Sequence, residues 1–381
     1  MNPASTDSRH PGEGMDFDRA PFLVIWEVTR ACALACKHCR ASAEDVRHPD
    51  ELTTEEGFHL LDDIAEMGTP IVIFTGGDPL QRNDLEQLIV RGKSRGLRVG
   101  VIPAATDRCT RDRVRSLADA GVDQMAISLD FADFLAHDEL RGVPGSHARA
   151  LEAASWVRDC GVPLQINSVI GPWNEWLLNQ LAEEVRRLGA VFWEVFFLVP
   201  TGRGAELAGM DARRADEILV WLLDHAEAAP YLVKIAEAPQ HRRIAMERAR
   251  GATGRPGRPV APGVADRGGA GPRRIGLSPL PVNAGRGFAF VDHVGGVCPS
   301  GFLPLEAGRV RARRLSEIYR YSGLFRALRE PARLGGRCGR CGYRSVCGGS
   351  RSRAYAVAGD PFAEDPLCPY DPPPAAGAGF Q

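Results

Sequence analysis

Cys32, Cys36 and Cys39 stand within eight residues, in the stretch Trp26-Glu-Val-Thr-Arg-Ala-Cys-Ala-Leu-Ala-Cys-Lys-His-Cys39, directly after the apolar run Phe22-Leu-Val-Ile-Trp26. Three thiolates so closely spaced can ligate a soft metal centre, and their number bears on which kind. A structural zinc takes four protein ligands, and a local cluster usually supplies them as paired CxxC hooks. A cubane [4Fe–4S] cluster held by three cysteines leaves one iron without a protein ligand, open to a small molecule. That open iron is where chemistry could occur. The residues alone leave two other readings standing: a zinc hook, or three buried free thiols, since cysteine is commonly interior.

A second group follows near the C-terminus as Cys338-Gly-Arg-Cys341-Gly-Tyr-Arg-Ser-Val-Cys347-Gly-Gly-Ser-Arg, with Cys368 before Pro369. Four cysteines at these spacings can close one [4Fe–4S] cluster with no open iron, which suits electron transfer or structure. A zinc ribbon on the same four is equally compatible with the spacing. Seven of the ten cysteines fall into the two groups, and such clustering points to metal or redox chemistry in a reducing, cytoplasmic setting rather than to disulfides. Cys109 and Cys160 read as ordinary thiols. The nine histidines lack HxxxH-type spacing, so no further metal centre is implied.

Composition narrows the partners. The net charge is −1, and the arginine clusters Arg242-Arg243 and 311–314 are short, so no nucleic-acid partner is expected. No window reaches the roughly 18 apolar residues of a membrane span, and Met1 to Gly14 has no hydrophobic signal core. No membrane partner is expected either.

Cys-x3-Cys-x2-Cys just after a first strand resembles the signature of the radical S-adenosylmethionine (SAM) enzymes. The resemblance implies an open iron chelated by the amino and carboxylate groups of SAM, and reductive cleavage of the sulfonium to a 5′-deoxyadenosyl radical. In it Cys32, Cys36 and Cys39 are both metal ligands and catalytic residues, and His38 stands where the family often has an aromatic side chain. Thr75-Gly-Gly-Asp-Pro79 resembles the GGE-type motif along the SAM amino group, with Gly76, Gly77 and Asp78 in place of Gly, Gly and Glu. Ser128 and Asp130 match the position where members hydrogen-bond the SAM ribose or carboxylate. Arg141 could pair with a carboxylate of SAM or substrate, or remain a solvated loop residue. Asn167 and Ser168 must point to opposite faces of a strand, so one of them can face the interior. Leu198 and Val199 resemble the wall around adenine, and Arg203 is a candidate for an acidic substrate group.

The second cysteine group resembles the SPASM extension of this family, with Cys338, Cys341, Cys347 and Cys368 as metal ligands. Related sequences often place further cysteines where this chain has Ser300 and Ser350. One auxiliary [4Fe–4S] cluster is therefore expected rather than two, with Cys298 as a possible alternative ligand.

Elements must position these residues. Short β-rich runs at 22–28, 71–74, 98–102, 125–129, 164–169 and 192–198 alternate with amphipathic helical stretches, the pattern of βα units on a mostly parallel sheet. Thr53 or Thr54 can cap the first helix, with Glu55 and Glu56 in its first turn. Six such units fit the partial (β/α)6 barrel that the resemblance implies, an α/β fold followed by a small iron–sulfur SPASM-like domain. Functional groups of α/β barrels gather at the carboxyl ends of the strands, where the motifs above fall. The expected plan is a flexible lead-in over 1–20, the radical SAM barrel over 21–235, a helix end and Gly/Pro/Arg-rich linker over 236–286, and the auxiliary-cluster domain over 287–381. Within the last, a hairpin is expected at 287–300 and a helix near 315–330.

The reaction type that follows is hydrogen abstraction from a small-molecule or peptide substrate, with a flavodoxin or ferredoxin as reducing partner. Relatives of this architecture modify haem propionates or mature peptides. Arg351-Ser-Arg-Ala-Tyr355 and the single-cluster tail look closer to the haem-modifying relatives, with Arg203, Arg351 and Arg353 as candidates to pair propionates. A peptide-maturing enzyme would be expected to carry a leader-binding module of roughly 80 residues, whereas about twenty precede the first strand. From another class, a non-enzymatic iron–sulfur carrier or zinc module would need no SAM pocket.

Overall fold

In the computed structural model of the chain, residues 15–253 and 280–373 are described. Seven strands run parallel in chain order: β1 (Leu23–Glu27), β2 (Ile71–Thr75), β3 (Arg98–Val101), β4 (Gln124–Ser128), β5 (Leu164–Ile170), β6 (Phe192–Phe197) and β7 (Leu232–Ala236). On the free edge of β1 lies β8 (Phe288–Val291), also parallel, followed by antiparallel β9 (Gly296–Cys298) and β10 (Gly308–Arg309). One sheet thus joins the C-terminal segment to the barrel strands, ordered β10-β9-β8-β1-β2-β3-β4-β5-β6-β7.

The period of two along each strand decides what each face buries. Val24 and Trp26 of β1, and Val72 and Phe74 of β2, face outward into the main core, where Leu61, Ile64, Leu88 and Val157 of the surrounding helices meet them. Leu23, Ile25 and Ile73 face inward and line the barrel interior. The helix Thr54–Glu66 starts with a capping box: Glu56 N–H donates to Thr53 Oγ1 at 3.2 Å and Thr53 N–H to the Glu56 carboxylate at 2.8 Å. Thr53 is therefore the cap, and Thr54 instead donates to Asp84 at 2.6 Å.

Three features depart from the sequence reading. β7, a seventh parallel strand, pairs with β6, so six units understate the barrel. The expected helix at 315–330 is two helices, Leu315–Tyr321 and Gly323–Leu328. Ser322 adopts an extended conformation between them (φ −65°, ψ 141°), and its hydroxyl accepts the Phe325 N–H that starts the second. Of the expected lead-in, residues 15–20 are described and packed: Phe17 and Ala20 are buried, and Tyr319 Oη donates to Phe17 O at 2.7 Å. Residues 1–14 and most of the expected linker, 254–279, lie outside the described residues.

Candidate active site

The cysteine trio sits on the loop after β1, laid across the carboxyl ends of the neighbouring strands. Backbone bonds fix it from two sides: Gly77 N–H and Asp78 N–H donate to Thr29 O and Ala31 O at 2.8 and 2.7 Å, and Ala35 N–H and Lys37 N–H donate to Arg141 O and Leu140 O. From a third side Arg203 donates to the carbonyls of Cys36 at 2.9 Å and Ala43 at 3.0 Å. Two of its donors thus hold the loop, so Arg203 serves the cysteine loop first. The glycine pair has a structural reason of its own. A Cβ on Gly77 would lie 2.4 Å from Arg30 O, and one on Gly76 2.4 Å from Thr29 O, so what approaches these glycines is the cysteine loop itself. Asp78 is fully buried and accepts from Thr106 Oγ1 at 2.6 Å and from Leu80 N–H at 3.1 Å. Burial holds its pKa above the usual range despite these bonds, and its carboxyl braces the next loop rather than facing a ligand.

Cys32 and Cys36 are buried and Cys39 is partly so, in a small cluster with Leu34, Ala43, Ala104 and Val143. Burial pushes the Cys32 thiol up to about 12, with Asp78 and the other two cysteines adding to it. A bound cation reverses that balance, since a coordinating thiol is deprotonated outright. Beside Cys36 lies a buried ion pair. Arg141 Nη2 stands 2.6 Å from Asp130 Oδ2, its Nη1 donates to Cys36 Sγ at 3.8 Å, and Asp130 Oδ1 accepts from Val169 N–H at 2.8 Å. Burial acts to raise the Asp130 pKa, but Arg141, His38 and His137 outweigh it and hold the carboxyl below its ordinary value. Arg141 is therefore not a solvated loop residue: Asp130 already meets its charge.

Among the described residues, three buried nitrogens around the trio have no partner: His38 Nδ1, Arg141 Nε and Arg203 Nη2. Buried polar atoms are normally paired, so a small polar ligand at the trio fits this surface. Among the described residues, no three His, Cys, Asp or Glu side chains form a group that could hold one metal ion. A four-iron cubane is several ångströms across, and its thiolates stand farther apart than those of a mononuclear site.

His38, Asp130 and Arg141 open onto a cavity of about 800 Å³ that fills the barrel. Phe196, Phe288, Phe290 and Phe302 give it apolar walls. Ser128, Asn167, Glu194 and Lys234 form a polar row in register across β4 to β7. Asn167 faces the cavity, whereas Ser168 points outward, donating to Leu129 O at 2.6 Å and accepting from Trp193 Nε1 at 3.0 Å. Lys234 Nζ lies 2.7 Å from Glu194, and Gln165 Nε2 reaches both Asn167 Oδ1 at 2.6 Å and Glu194 at 2.9 Å. Gln124 donates to Gln165 in turn. The sequence reading missed Gln124, Gln165, Glu194 and Lys234; the available signal was at least one polar residue on the inward face of each of β4 to β7, strands that are otherwise mostly apolar. Leu198 and Val199 are not in the cavity wall. Val199 is buried, and Leu198 gives its carbonyl to Arg353.

Cys338, Cys341, Cys347 and Cys368 line one small hollow. Cys338 Sγ accepts from Arg351 Nη2 at 3.7 Å and from Asp365 N–H at 3.4 Å, and Cys341 Sγ accepts from Tyr343 N–H at 3.4 Å. Arg351 is 2% exposed and, among the described residues, has no carboxylate within ion-pair distance. Its other partners are the carbonyls of Gly349, Pro361 and Ala363. A buried cation of this kind requires a nearby anion, and a centre held by four thiolates supplies one. Arg353, 4% exposed, donates to the carbonyls of Phe197, Leu198 and Glu237. Neither arginine lines the cavity, so the expectation that they pair propionates is overturned. Cys298 lies on β9 outside the hollow, its thiol pushed up to about 12 by burial with Asp292 and Glu306 adding, and does not join the four. Ser350 caps the helix Arg351–Ala358 and donates to Glu237 at 2.5 Å, while Ser300 lines the cavity.

A partial α/β barrel with a cysteine trio at its strand ends, an open interior and a second cysteine group packed beside it has the architecture of an α/β-barrel enzyme. The sequence family described as the Radical SAM superfamily matches residues 26–185, and the chain belongs to it. It is 40% identical over 354 residues to the AdoMet-dependent heme synthase of Oleidesulfovibrio alaskensis, covering 92% of this chain and 87% of that protein. It is 29% identical to the PqqA peptide cyclase of Rhodopseudomonas palustris, with 92% and 88% covered. The fold is similar to that of Streptococcus suis SuiB bound to S-adenosylmethionine, with a TM-score of 0.70, 14% identity, and 92% of this chain and 78% of that one covered. The chain is thus a radical SAM enzyme with a SPASM-like extension, a family that uses a [4Fe–4S] cluster with SAM and auxiliary clusters in its SPASM-type members. No helix among the described residues is long and apolar enough to cross a membrane.

Proposed function

We propose that this chain acts on an iron tetrapyrrole and abstracts hydrogen from one of its propionate side chains. The observation that carries the reading is the 40% identity, across nearly the whole chain, to a protein named as a heme synthase. The apolar, phenylalanine-walled cavity supports it, since about 800 Å³ lies in the range of pockets that enclose a sizeable ligand.

In this reading Cys32, Cys36 and Cys39 hold the cluster that binds SAM, and Cys338, Cys341, Cys347 and Cys368 hold one auxiliary cluster. A [4Fe–4S] cluster held by the first group would supply the electron for reductive cleavage of SAM. The chain's own residues bind, orient and shield. The Arg141–Asp130 pair fixes the edge of the SAM site, while Ser128 and Asn167 offer polar groups from adjacent strands for its ribose or carboxylate. Gly76, Gly77 and Asp78 contribute by seating the cysteine loop. The phenylalanine walls keep water from the reacting carbon. A small acidic electron carrier of the flavodoxin or ferredoxin type would supply electrons, in a cytoplasmic, reducing compartment.

The test is anaerobic reconstitution with iron and sulfide, then dithionite, SAM and an iron porphyrin bearing propionates. The expected result is 5′-deoxyadenosine together with a porphyrin of altered side-chain mass, both abolished by Cys36→Ala. Formation of 5′-deoxyadenosine with the porphyrin untouched would turn the reading toward a peptide substrate. No 5′-deoxyadenosine at about eight irons per chain would favour an electron carrier.

A further inference from the structure

Any carboxylate-bearing substrate needs a cation in the cavity wall, and most of the cations there are already neutralised. Arg40 is paired with Glu27 at 2.7 Å, Arg141 with Asp130 at 2.6 Å, Lys234 with Glu194 at 2.7 Å and Arg248 with Asp224 at 2.7 Å. Arg242 differs. It lines the cavity from the first turn of the helix His241–Thr253, and among the described residues no carboxylate lies within ion-pair distance of it. Among the described residues its guanidinium donates to two backbone carbonyls, Val282 O at 2.8 Å and Val346 O at 3.2 Å, and its buried Nε–H finds no acceptor.

Two carbonyls do not discharge a guanidinium. A cation taken out of water is costly unless an anion and further hydrogen bonds meet it. Burial pulls Arg242 down to about 10; the Cys347 thiol opposes this, and repulsion by Arg286 adds to it more weakly. Its Nε–H is thus left unpaired at the wall of a cavity large enough to hold a ligand. Planar guanidinium forks match carboxylates in geometry as well as in charge.

We infer that Arg242 anchors a carboxylate of the substrate, fixing which edge of an acidic ligand lies against the helix His241–Thr253. The inference rests on the tetrapyrrole reading above for the identity of the ligand, and adds to it the residue that would select an acid over a neutral analogue. The three arginines singled out from sequence, Arg203, Arg351 and Arg353, are bound elsewhere, and Arg242 takes the place they were expected to fill.

The experiment is equilibrium binding, followed by Soret absorbance, of an iron porphyrin dipropionate and of its dimethyl ester to the full-length protein. Wild type is compared with Arg242→Gln and Arg242→Lys, with far-UV circular dichroism and iron content confirming that each variant is folded and loaded. Wild type should prefer the acid. Arg242→Gln should weaken acid binding by roughly 10- to 100-fold, the weight of a charge-assisted hydrogen bond, and leave ester binding within about threefold. Arg242→Lys should recover part of the loss. Equal weakening of acid and ester would mean that Arg242 only ties Val282 to Val346, and the inference fails. Unchanged acid binding in Arg242→Gln, as expected if the guanidinium serves only the Cys347 side, overturns it as well. Wild type that binds neither porphyrin removes the tetrapyrrole reading and this inference together, a result distinct from the other two.

Discussion

Glu27, at the end of β1, has no solvent exposure, yet its carboxyl is held at a pKa of about 2. Burial by itself would raise the value. Arg40 at 2.7 Å, His293 at 3.2 Å and Arg30 at 3.1 Å outweigh it and bring the carboxyl down from 4.5. A depressed acid contributes stability that is present above its unfolded value and is lost as the pH falls toward the folded one. The window here is therefore pH 4.5 down to about 2. A lowering of that size corresponds to on the order of 3 kcal/mol. Urea unfolding of Glu27→Gln is expected to show a loss of about that amount at pH 7, with a flatter pH dependence across the acid window. A variant as stable as wild type at pH 7 would show that Arg40 and its neighbours do not depend on this carboxylate. Because Arg40 follows Cys39 directly and also donates to Gly301 O, the same residue ties the cysteine loop to the strands added by the C-terminal segment.

At the scale of elements, the cysteine loop is seated by close backbone contact, and Gly202 after β6 shows this most sharply. Its φ is +56°, and a Cβ there would lie 2.3 Å from Arg40 O and 2.5 Å from Cys39 O. A side chain would be strained by the conformation and blocked by backbone that has little room to yield. Gly202→Ala is expected to displace the third cysteine, so that reconstituted iron falls from about eight to about four atoms per chain while the second group keeps its share. Iron analysis with electron paramagnetic resonance would read this, and a full complement of iron would mean that the loop gives way without losing its centre. Such contacts explain what could be read in advance. The cysteine spacings, the alternation of β1 to β6 and the Thr53 cap are local, and each is visible in a few consecutive residues. β7 was not, because Leu-Val-Lys-Ile-Ala is short and carries an inward lysine whose partner, Glu194, lies on a different strand. The arginines were misread for the same reason. Nothing adjacent to Arg203, Arg351 or Arg353 in the chain reveals that carbonyls distant in sequence occupy their donors, and Arg141 resembles a loop residue until Asp130 is brought beneath it.

For the whole molecule, the open sheet poses a problem of closure, because β7 and β8 are not hydrogen-bonded neighbours. The C-terminal segment closes it by gripping both sides. β8 pairs with β1, while Arg353 takes the carbonyls that end β6 and that of Glu237 just beyond β7. Glu237 is held at φ +58°, and its carboxyl accepts from Ser350 at 2.5 Å and Ser352 at 3.3 Å. Burial raises its pKa, and neither the serine hydrogen bonds nor Arg353 fully offset this. A raised acid binds its proton more tightly when folded, so the sign is opposite to that of Glu27. Stability should decline as the pH rises from the unfolded value of 4.5 through the folded one. Glu237→Gln should remove that decline, so the variant loses less stability than wild type as the pH rises above 4.5. Arg353→Met should cost roughly 3 kcal/mol or more, since it leaves Asp365, 3.5 Å away, and Glu237 without their cation. In the double variant the effects of the two substitutions should not add, because one network carries both. Strict additivity, measured by chemical unfolding of all four proteins at a single pH, would show that Arg353 and Glu237 act separately, and the closure of the barrel would then rest on β8 alone.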